Sequence, residues 1–505
     1  MRAILKLPLL LNLVALSALA MWVPMAHAVR LGDMMTARIF LQYSILILVF
    51  TSLTAVAVLN YKPPKTAHSH LFALLAGFFV MPFVLALPFS FLMPDTPFLD
   101  VYFEMLSSLT TTGATVFTDP TVLSDPLHLW RGLVGWLGGF MMWVAAIAIM
   151  APLNLGGFEI FGEDRAKTAV AQGLGWIKAA DPADRLIKYT VALAPIYLII
   201  TLFLTLGLVL SGERFFVAVI HAMSTIATSG ISSVAGLQNA HSGLMGEVLI
   251  FGFLIFAVSR LTITPALSGT VIANILRDRE FRLMMVLVCG VSTLLFLRHW
   301  LNPAAPTEPG EFTSGLAALW GSAFTVMSFL TTTGFESANW QVALDWSGLK
   351  APGMILLGLA IMGGGIATTA GGVKLLRVYA LYKHGLREMQ KLSFPASVGG
   401  SGTAARRIRR EGAYFAWIFF MLFVLSAALV MLGLSLTGIE FENAIIMAIA
   451  ALSTTGPLVN VAQESAINFA DISDVAKIIL GVAMILGRLE TLAIIALLNP
   501  EFWQK

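Results

Sequence analysis

The amino-acid sequence predicts an all-α polytopic membrane protein, in which four similar helical repeats follow an N-terminal two-helix hairpin. Composition indicates the class, because 58% of the residues are hydrophobic and only 12% are charged, whereas soluble domains average about 25% charged residues. A threonine-rich segment that ends in glycine occurs four times, and long apolar segments flank each copy. Apolar segments of about 20 residues are long enough to cross a bilayer as helices.

The N-terminal hairpin is predicted over residues 1–66. Its two apolar runs are Leu7–Met25 and Ile39–Leu59. The sequence Ala26-His27-Ala28 between them also fits the cleavage site of a signal peptide. A leader that is removed after residue 28 is therefore the alternative to an intact hairpin.

Each repeat is predicted to contain a membrane helix, a short half-helix that leads into the threonine-rich segment, and a second membrane helix. The repeats cover residues 67–160, 161–282, 283–395 and 396–505. The first helices are predicted at Leu71–Met93, Tyr189–Leu210, Leu283–Leu301 and Ala413–Leu434. The half-helices are predicted at Leu99–Leu109, Phe215–Ile226, Gly315–Leu330 and Phe441–Leu452. The second helices are predicted at Leu129–Pro152, Gly246–Asn274, Ala351–Tyr382 and Val475–Leu498, which with the hairpin makes ten membrane helices.

The threonine-rich segments share an apolar residue, a run of small and mostly hydroxylated residues, and a final glycine. They are Leu109-Thr110-Thr111-Thr112-Gly113, Ile226-Ala227-Thr228-Ser229-Gly230, Leu330-Thr331-Thr332-Thr333-Gly334 and Leu452-Ser453-Thr454-Thr455-Gly456. A single copy is most simply a polar kink or a small-residue contact between helices. Four copies at spacings of 117, 104 and 122 residues predict an internal fourfold repeat instead.

These segments predict a cation filter on a shared axis. Four hydroxyl-rich segments converge only if the repeats surround one pore, and rings of carbonyl and hydroxyl oxygens can replace the water around a monovalent cation. The half-helices would point their negative ends at the axis, which favours a cation there. The fold is thus four M1-P-M2 units (helix, pore half-helix with filter, helix) around one pore.

Charged residues agree with one orientation for all four repeats. Segments predicted to be cytoplasmic are rich in Lys and Arg, most of all between Lys383 and Arg410, whereas acidic residues such as Asp100, Glu336 and Asp345 fall on the opposite side. This is the positive-inside pattern. The acidic outer rim would raise the local concentration of cations, although ordinary solvated loops would have the same composition.

Four residues stand nine positions before the filter glycines, on the half-helices. They are Glu104, His221, Thr325 and Met447. Because a charged or polar side chain at membrane depth is costly without a partner, we expect Glu104 and His221 to brace the filter through hydrogen bonds. Local capping or packing is the alternative.

A glycine-rich run interrupts the second helix of the third repeat. It reads Gly363-Gly364-Gly365-Ile366-Ala367-Thr368-Thr369-Ala370-Gly371-Gly372. Each glycine inside a helix costs about 1 kcal/mol relative to alanine, so five in ten residues predict a broken helix with a loop beneath the filter, which is a candidate gate. Close helix packing through small residues accounts for two or three of these glycines.

Basic residues occur in or near the second helices. They are Arg260, Lys374, Arg377 and Arg488. We expect Arg377 to extend to the cytoplasmic surface. A fixed positive charge at Lys374 or Arg488 would limit cation occupancy of the pathway, and a structural pair with a carboxylate such as Glu490 is the alternative.

Motifs of enzymes are lacking in the sequence. It contains no Walker-type phosphate loop, no His-Glu-x-x-His and no Gly-x-Ser-x-Gly. The single cysteine, Cys289, lies in an apolar run, so no internal disulfide is possible. We therefore expect a chain that is not an enzyme and has neither a cofactor nor a nucleic-acid partner.

The sequence resembles the Trk/Ktr/HKT superfamily of potassium transporters over nearly its whole length. The resemblance rests on the four filters, on the glycine-rich break, on Trp130-Arg131-Gly132-Leu133-Val134-Gly135-Trp136-Leu137-Gly138-Gly139 and on Gly487-Arg488-Leu489-Glu490. The additional N-terminal hairpin is similar to the bacterial TrkH branch rather than the KtrB branch.

The resemblance implies a pseudo-tetrameric potassium pore in each subunit, a homodimer in the bacterial inner membrane, and control by a TrkA-type cytoplasmic nucleotide-binding ring. Potassium is favoured over sodium because Gly113 is present where a serine in plant relatives goes with sodium permeability. Gly363–Gly372 matches the family's gating loop, and Arg488 matches a basic pore residue below the filter. Ala227 leaves the second filter one hydroxyl short, which is expected to weaken the symmetry of the innermost ion site.

Three functions remain open from the sequence. The first is channel-like potassium uptake through a gated pore. The second is symport of potassium with sodium or protons, which carboxylates in the second helices would favour, and Glu490 is the main one there. The third is a membrane scaffold or sensor.

Overall fold

The structure, a computed structural model, describes residues 8–58, 67–153, 155, 182–258, 278–301, 311–349, 351–394, 410–462 and 467–490. Throughout this part of the chain the regular structure is helical, with a few short 3-10 and π segments and no strand. The all-α fold class is thus confirmed.

The N-terminal hairpin consists of Leu9–Ala20 and Trp22–Leu31, which follow one another, and of the long helix Met34–Val58. The chain reverses at Gly32, whose φ of 80° lies in the left-handed region that glycine adopts without strain. Ser44 joins the two arms: its hydroxyl donates to the carbonyl of Ala18 at 2.7 Å and accepts from the indole of Trp22 at 2.9 Å.

Each repeat contains the three predicted helices, which we call the outer, pore and inner helix. The outer helices are Ala67–Leu92, Pro182–Leu210, Arg279–Leu297 and Arg410–Leu436. The pore helices are Phe98–Leu109, Phe215–Ala227, Glu311–Leu330 and Phe441–Leu452. The inner helices are Asp125–Ala145, Gly243–Leu254, the pair Pro352–Met362 and Leu375–Ser393, and Asp474–Leu489.

Eight helices in the described ranges are long and apolar enough to cross a membrane. Seven of them are among the ten predicted spans, and the eighth, Thr313–Leu330, belongs to the third pore helix. The other three predicted spans are inner helices. Two of these continue into residues outside the described ranges, and the third is broken, as predicted. The sequence did not predict the short helix Trp340–Ser347 after the third filter.

Glycines let the inner helices approach the ends of the pore helices. A β-carbon on Gly138 would overlap the carbonyl of Leu109, and one on Gly487 would overlap the carbonyl of Leu452. Both overlaps are with the last residue of a pore helix. The close approach thus explains why helix interiors keep glycine despite its cost of about 1 kcal/mol.

A buried ion pair joins the first repeat to the last. The ammonium of Lys477 on the fourth inner helix lies 2.5 Å from the carboxylate of Asp100 on the first pore helix. Asp100 is 9% exposed, so this member of the predicted acidic rim serves the protein interior rather than the solvent. The pair closes the circle of four repeats around the axis.

Candidate ion pathway

The four threonine-rich segments form a closed ring. Each filter glycine lies so close to the backbone or the proline of the next segment that a β-carbon would come within about 3.0 Å of a neighbouring atom. The neighbours are Ser229 for Gly113, Thr333 for Gly230, Pro457 for Gly334, and Ala114 for Gly456. In addition, the amide of Gly456 donates to the carbonyl of Thr112 at 2.6 Å. The predicted convergence on one axis is therefore present.

The backbone of the four segments repeats the same unusual conformation. The residue two positions before each glycine has a φ between 52° and 57°, and these residues are Thr111, Thr228, Thr332 and Thr454. Left-handed backbone is rare for β-branched residues, and such strain is held in place by its surroundings at functional sites. Gly113, Gly230 and Gly334 are also left-handed. Gly456 is not, and it precedes Pro457, which restricts the residue before it.

Hydroxyl pairs hold three of the four segments. Within a segment, the hydroxyl three positions before the glycine bonds the hydroxyl one position before it. The pairs are Thr110 with Thr112 at 2.8 Å, Thr331 with Thr333 at 3.1 Å, and Ser453 with Thr455 at 3.2 Å. In the second segment Ala227 removes this partner, and Ser229 donates to Ser224 instead at 3.2 Å. The missing hydroxyl therefore changes how this segment is braced.

An open cavity of about 330 Å³ lies against all four filter glycines. We call it the vestibule. Its wall includes the residues that follow the filters, among them Thr115, Ser232 and Glu336, together with Arg131 from the first inner helix. A cavity needs roughly 10 Å³ to hold one water molecule. The vestibule therefore has room for a cation together with its hydration shell.

Residues nine positions before the glycines bind the segments that follow them. Glu104 accepts from the amide of Val116 and the hydroxyl of Thr115, both at 3.0 Å. Its other oxygen lies 2.6 Å from the guanidinium of Arg131. The imidazole of His221 lies 2.9 Å from the hydroxyl of Ser232.

The third repeat uses the same position, since Thr325 accepts from the amide of Ser337 at 3.2 Å. The bracing predicted for Glu104 and His221 is therefore present, and Thr325 extends it to the third repeat, whereas Met447 occupies the fourth position as a buried apolar residue.

Glu247 is a further brace that the sequence reasoning missed. This carboxylate on the second inner helix accepts at 2.7 Å from the amide of Ala338, the hydroxyl of Ser337 and the indole of Trp320. It thereby fixes the segment after the third filter from a neighbouring repeat. A carboxylate inside an apolar span is the signal that could have revealed it.

Replacing Glu104 with glutamine is expected to lower both stability and selectivity. The glutamine keeps the shape but leaves Arg131 without its opposite charge, and breaking a buried pair costs about 3–5 kcal/mol. Thermal unfolding of the purified protein and rubidium-to-sodium uptake ratios would measure the effect. Glu388→Gln is the matched control, because its pair with Lys391 is 44–47% exposed and surface pairs contribute little. A wild-type melting temperature for Glu104→Gln would contradict the bracing role.

The glycine-rich loop runs from Gly363 to Lys374 between the two halves of the third inner helix. It lies against three filter segments. The hydroxyl of Thr369 donates to the carbonyl of Ile226 at 3.1 Å, and the amide of Gly371 donates to the hydroxyl of Thr332 at 2.7 Å. A β-carbon on Gly371 would overlap the carbonyl of Ser453. The break and its position beneath the filter thus agree with the prediction.

All five glycines of the loop are in tight contacts. A β-carbon would come within 3 Å of a neighbouring atom at each of Gly363, Gly364, Gly365, Gly371 and Gly372. Close packing was expected to account for only two or three of them. Both interpretations of the glycines therefore apply, because the loop is at once a broken helix and a closely packed plug.

Two basic residues hold the loop by its carbonyls. Arg488 donates to the carbonyl of Thr369 at 2.7 Å, and the ammonium of Lys374 donates to the carbonyl of Ala370. Both side chains are buried, and within the described ranges Nε and Nη2 of Arg488 have no hydrogen-bond partner. A cavity of only about 30 Å³ remains beside them.

Arg377 does not reach the cytoplasmic surface, so that expectation is wrong. Its side chain is fully buried, its guanidinium lies 2.7 Å from the carboxylate of Glu490, and it stacks 3.6 Å above the ring of Phe419. Glu490 turns towards it because its own φ is 62°, at the end of the fourth inner helix. The carboxylate close to Arg488 in sequence therefore pairs with Arg377. Arg260 lies outside the described residues.

Known proteins resemble this chain along most of its length. Residues 35–505 match the family described as TrkH, cation transport protein. The Trk system potassium uptake protein TrkH of Vibrio parahaemolyticus is 32% identical over 428 residues, which cover 82% of each chain. The protein of the same name from Halomonas elongata is 30% identical over 407 residues, or 80% of each chain. That of Escherichia coli K12 is 29% identical over 425 residues, or 83% of each chain.

The architecture agrees with a solved structure. The crystal structure of the potassium transporter TrkH from Vibrio parahaemolyticus matches with a TM-score of 0.79 at 26% identity, and the match covers 100% of both chains. Together with the described apolar helices, this relationship gives a multi-pass protein of the bacterial inner membrane, with a transport role rather than that of an enzyme. The chain belongs to the TrkH family of cation transport proteins.

Proposed function

We propose that this chain takes up potassium through a gated, channel-like pore whose selectivity filter is the ring of four threonine-rich segments. The observation that carries the proposal is the closed ring itself, which lies beneath an open vestibule. Carbonyl and hydroxyl oxygens in such a ring can replace the hydration shell of a monovalent cation. The relatives that are named as potassium uptake proteins support potassium as the substrate.

The loop Gly363–Lys374 is the gate in this proposal. It fills the space beneath three filter segments and leaves about 30 Å³, which is room for only about two water molecules, beside Arg488. A cation that leaves the filter must therefore displace the loop. The guanidinium of Arg488 opposes that movement by its bond to Thr369, and its charge repels the cation.

A cytoplasmic partner would act on this gate through the helix that follows it. Leu375–Ser393 begins directly after the loop and carries Lys383, Arg387 and Lys391 on its exposed part. We propose that a TrkA-type nucleotide-binding ring docks on this basic region and moves the loop. Because the helix and the loop are contiguous, a shift of the helix displaces the loop directly. A homodimer of this chain, embedded in the lipid bilayer, completes the proposed assembly.

Symport with sodium or protons has less support. Coupling requires a carboxylate that is free to bind the second ion, but Glu490 pairs with Arg377 and Glu247 already accepts three hydrogen bonds. A reversal potential that shifts with sodium or pH at a fixed potassium gradient would favour symport nonetheless. A scaffold would tolerate Gly113→Ala together with Gly334→Ala, whereas a pore would not.

The test is rubidium uptake at low external potassium in cells that lack their own potassium transporters, with and without a co-expressed TrkA-type partner. We expect wild type to restore growth, and to do so best with the partner. We expect Arg488→Gln to raise uptake several-fold without the partner, since it removes the loop's bond and the opposing charge. Uptake by neither protein under any condition would contradict the proposed function. An equal dependence of both proteins on the partner would contradict the role of Arg488.

A further inference from the structure

The residues two positions after the filter glycines differ in what they contact. They are Thr115, Ser232, Glu336 and Leu458. In the first two repeats the hydroxyl is taken up by the brace on the pore helix, Glu104 or His221. In the third repeat Thr325 binds the next residue, Ser337, instead. Glu336 therefore differs from Thr115 and Ser232: its side chain lines the vestibule and is not the group that the pore-helix brace binds.

Glu336 is the only carboxylate among the described residues that line the vestibule. One of its oxygens accepts from the amide of Gln238 at 3.0 Å, which fixes the side chain on the wall. The side chain is half-buried, so its charge acts on the vestibule through less water than that of a surface residue.

Positive groups on the same wall do not cancel this charge. Arg131 lines the vestibule from the first inner helix, but it is paired with Glu104 at 2.6 Å. The imidazole of His128 also lines it, and its Nε2 lies 2.8 Å from the carbonyl of Pro120. Gln238 and Asn460, from the segments packed on either side, are uncharged.

We propose that Glu336 forms an entry site for a hydrated monovalent cation in the vestibule, directly outside the filter. The site rests on the proposed function, since it matters only if cations pass through the ring. A fixed negative charge in a cleft raises the local concentration of cations. The other three repeats have no carboxylate at the equivalent position, so the site lies on one side of the axis.

Protons compete with the cation for this site. Burial raises the pKa of Glu336 to about 7, and the hydrogen bond from Gln238 offsets part of that rise. The carboxylate is therefore charged above pH 7 and is progressively neutral below it. Cation recruitment should weaken as the external pH falls from 8 to 6, and it should do so without any change in the filter.

The test is the kinetics of rubidium uptake by wild type, Glu336→Gln, Glu336→Asp and Asp345→Asn. We expect Glu336→Gln to raise the half-saturating concentration about threefold or more at pH 8, with the maximal rate within about twofold of wild type. Glu336→Asp keeps the charge and should remain close to wild type. Asp345→Asn removes an exposed charge on the same face, outside the vestibule lining, and should have no effect.

The pH series supplies the second readout. The half-saturating concentration of wild type should rise between pH 8 and pH 6, whereas that of Glu336→Gln should stay constant. Unchanged kinetics of Glu336→Gln at pH 8, an equal effect of Asp345→Asn, or a pH dependence that survives in Glu336→Gln and vanishes in His128→Gln would each overturn the entry site. Wild type without any uptake would instead overturn the proposed function.

Discussion

Replacing Gly113 with serine is expected to admit sodium and to slow potassium uptake about tenfold or more. The glycine has a φ of 72°, and a β-carbon there would overlap the carbonyl of Ser229 in the next filter segment. The left-handed conformation alone costs a side-chain-bearing residue roughly 1–2 kcal/mol, and a tenfold effect corresponds to about 1.4 kcal/mol. Because Ser229 contributes backbone, the ring must widen rather than turn a side chain aside.

Gly212→Ser is the control that separates the cost of left-handed backbone from the effect of a side chain in the filter ring. Gly212 has a φ of 95° and open space around it, so its replacement carries the conformational cost without the overlap. Uptake of rubidium and of sodium by both variants, at equal amounts of protein in the membrane, would compare them. Gly113→Ser with the selectivity of wild type would mean that Gly113 does not border the pathway.

Replacing Arg377 with methionine is expected to destabilise the protein severely. Glu490 would be left charged and buried without its partner, which costs about 3–5 kcal/mol, and the stacking on Phe419 would be lost as well. Arg377 lies just after the glycine-rich loop, and Glu490 lies two residues after Arg488, which holds that loop. Uptake should therefore fall together with stability. Thermal unfolding in detergent and rubidium uptake are the two measurements.

Glu490→Gln combined with Arg377→Met should recover much of the lost stability, because neither charge then remains alone in the interior. Lys391→Met is the control for a broken pair at the surface, since Lys391 and Glu388 are 44% and 47% exposed. A double variant that is no more stable than Arg377→Met would show that packing, not the uncompensated charge, sets the cost.

The sequence predicted the convergence of the threonine-rich segments and the broken helix because their signals are local. Threonine next to glycine, repeated four times, needs no knowledge of distant contacts, and five glycines in ten residues exclude a helix wherever they lie. The hydrogen bonds of Glu104 and His221 could also be anticipated, because buried polar groups need partners. Three-dimensional structure was required to show that the partners are the segments just beyond the filters.

Long-range pairs could not be predicted. Glu490 lies two residues from Arg488, so sequence proximity suggested the wrong partner, and its left-handed backbone directs it to Arg377 instead. Similarly, Glu336 looked like any acidic loop residue. Its role in the vestibule depends on which residue the pore-helix side chain binds. In the third repeat Thr325 binds Ser337 rather than Glu336, and the sequence does not reveal this difference.

The closure of the ring by its first and last members has a consequence for biosynthesis. Lys477 and Asp100 are 377 residues apart in the chain. At a translation rate of ~5–20 residues per second, roughly 20–75 s pass between their syntheses. The third filter segment precedes the fourth by 122 residues, so for roughly 6–24 s of that interval the first three segments exist without the fourth, and their polar groups need lipid headgroups, water or an insertion factor as temporary partners. A ribosome that stops early therefore releases an open arc, which has no complete filter with which to select potassium.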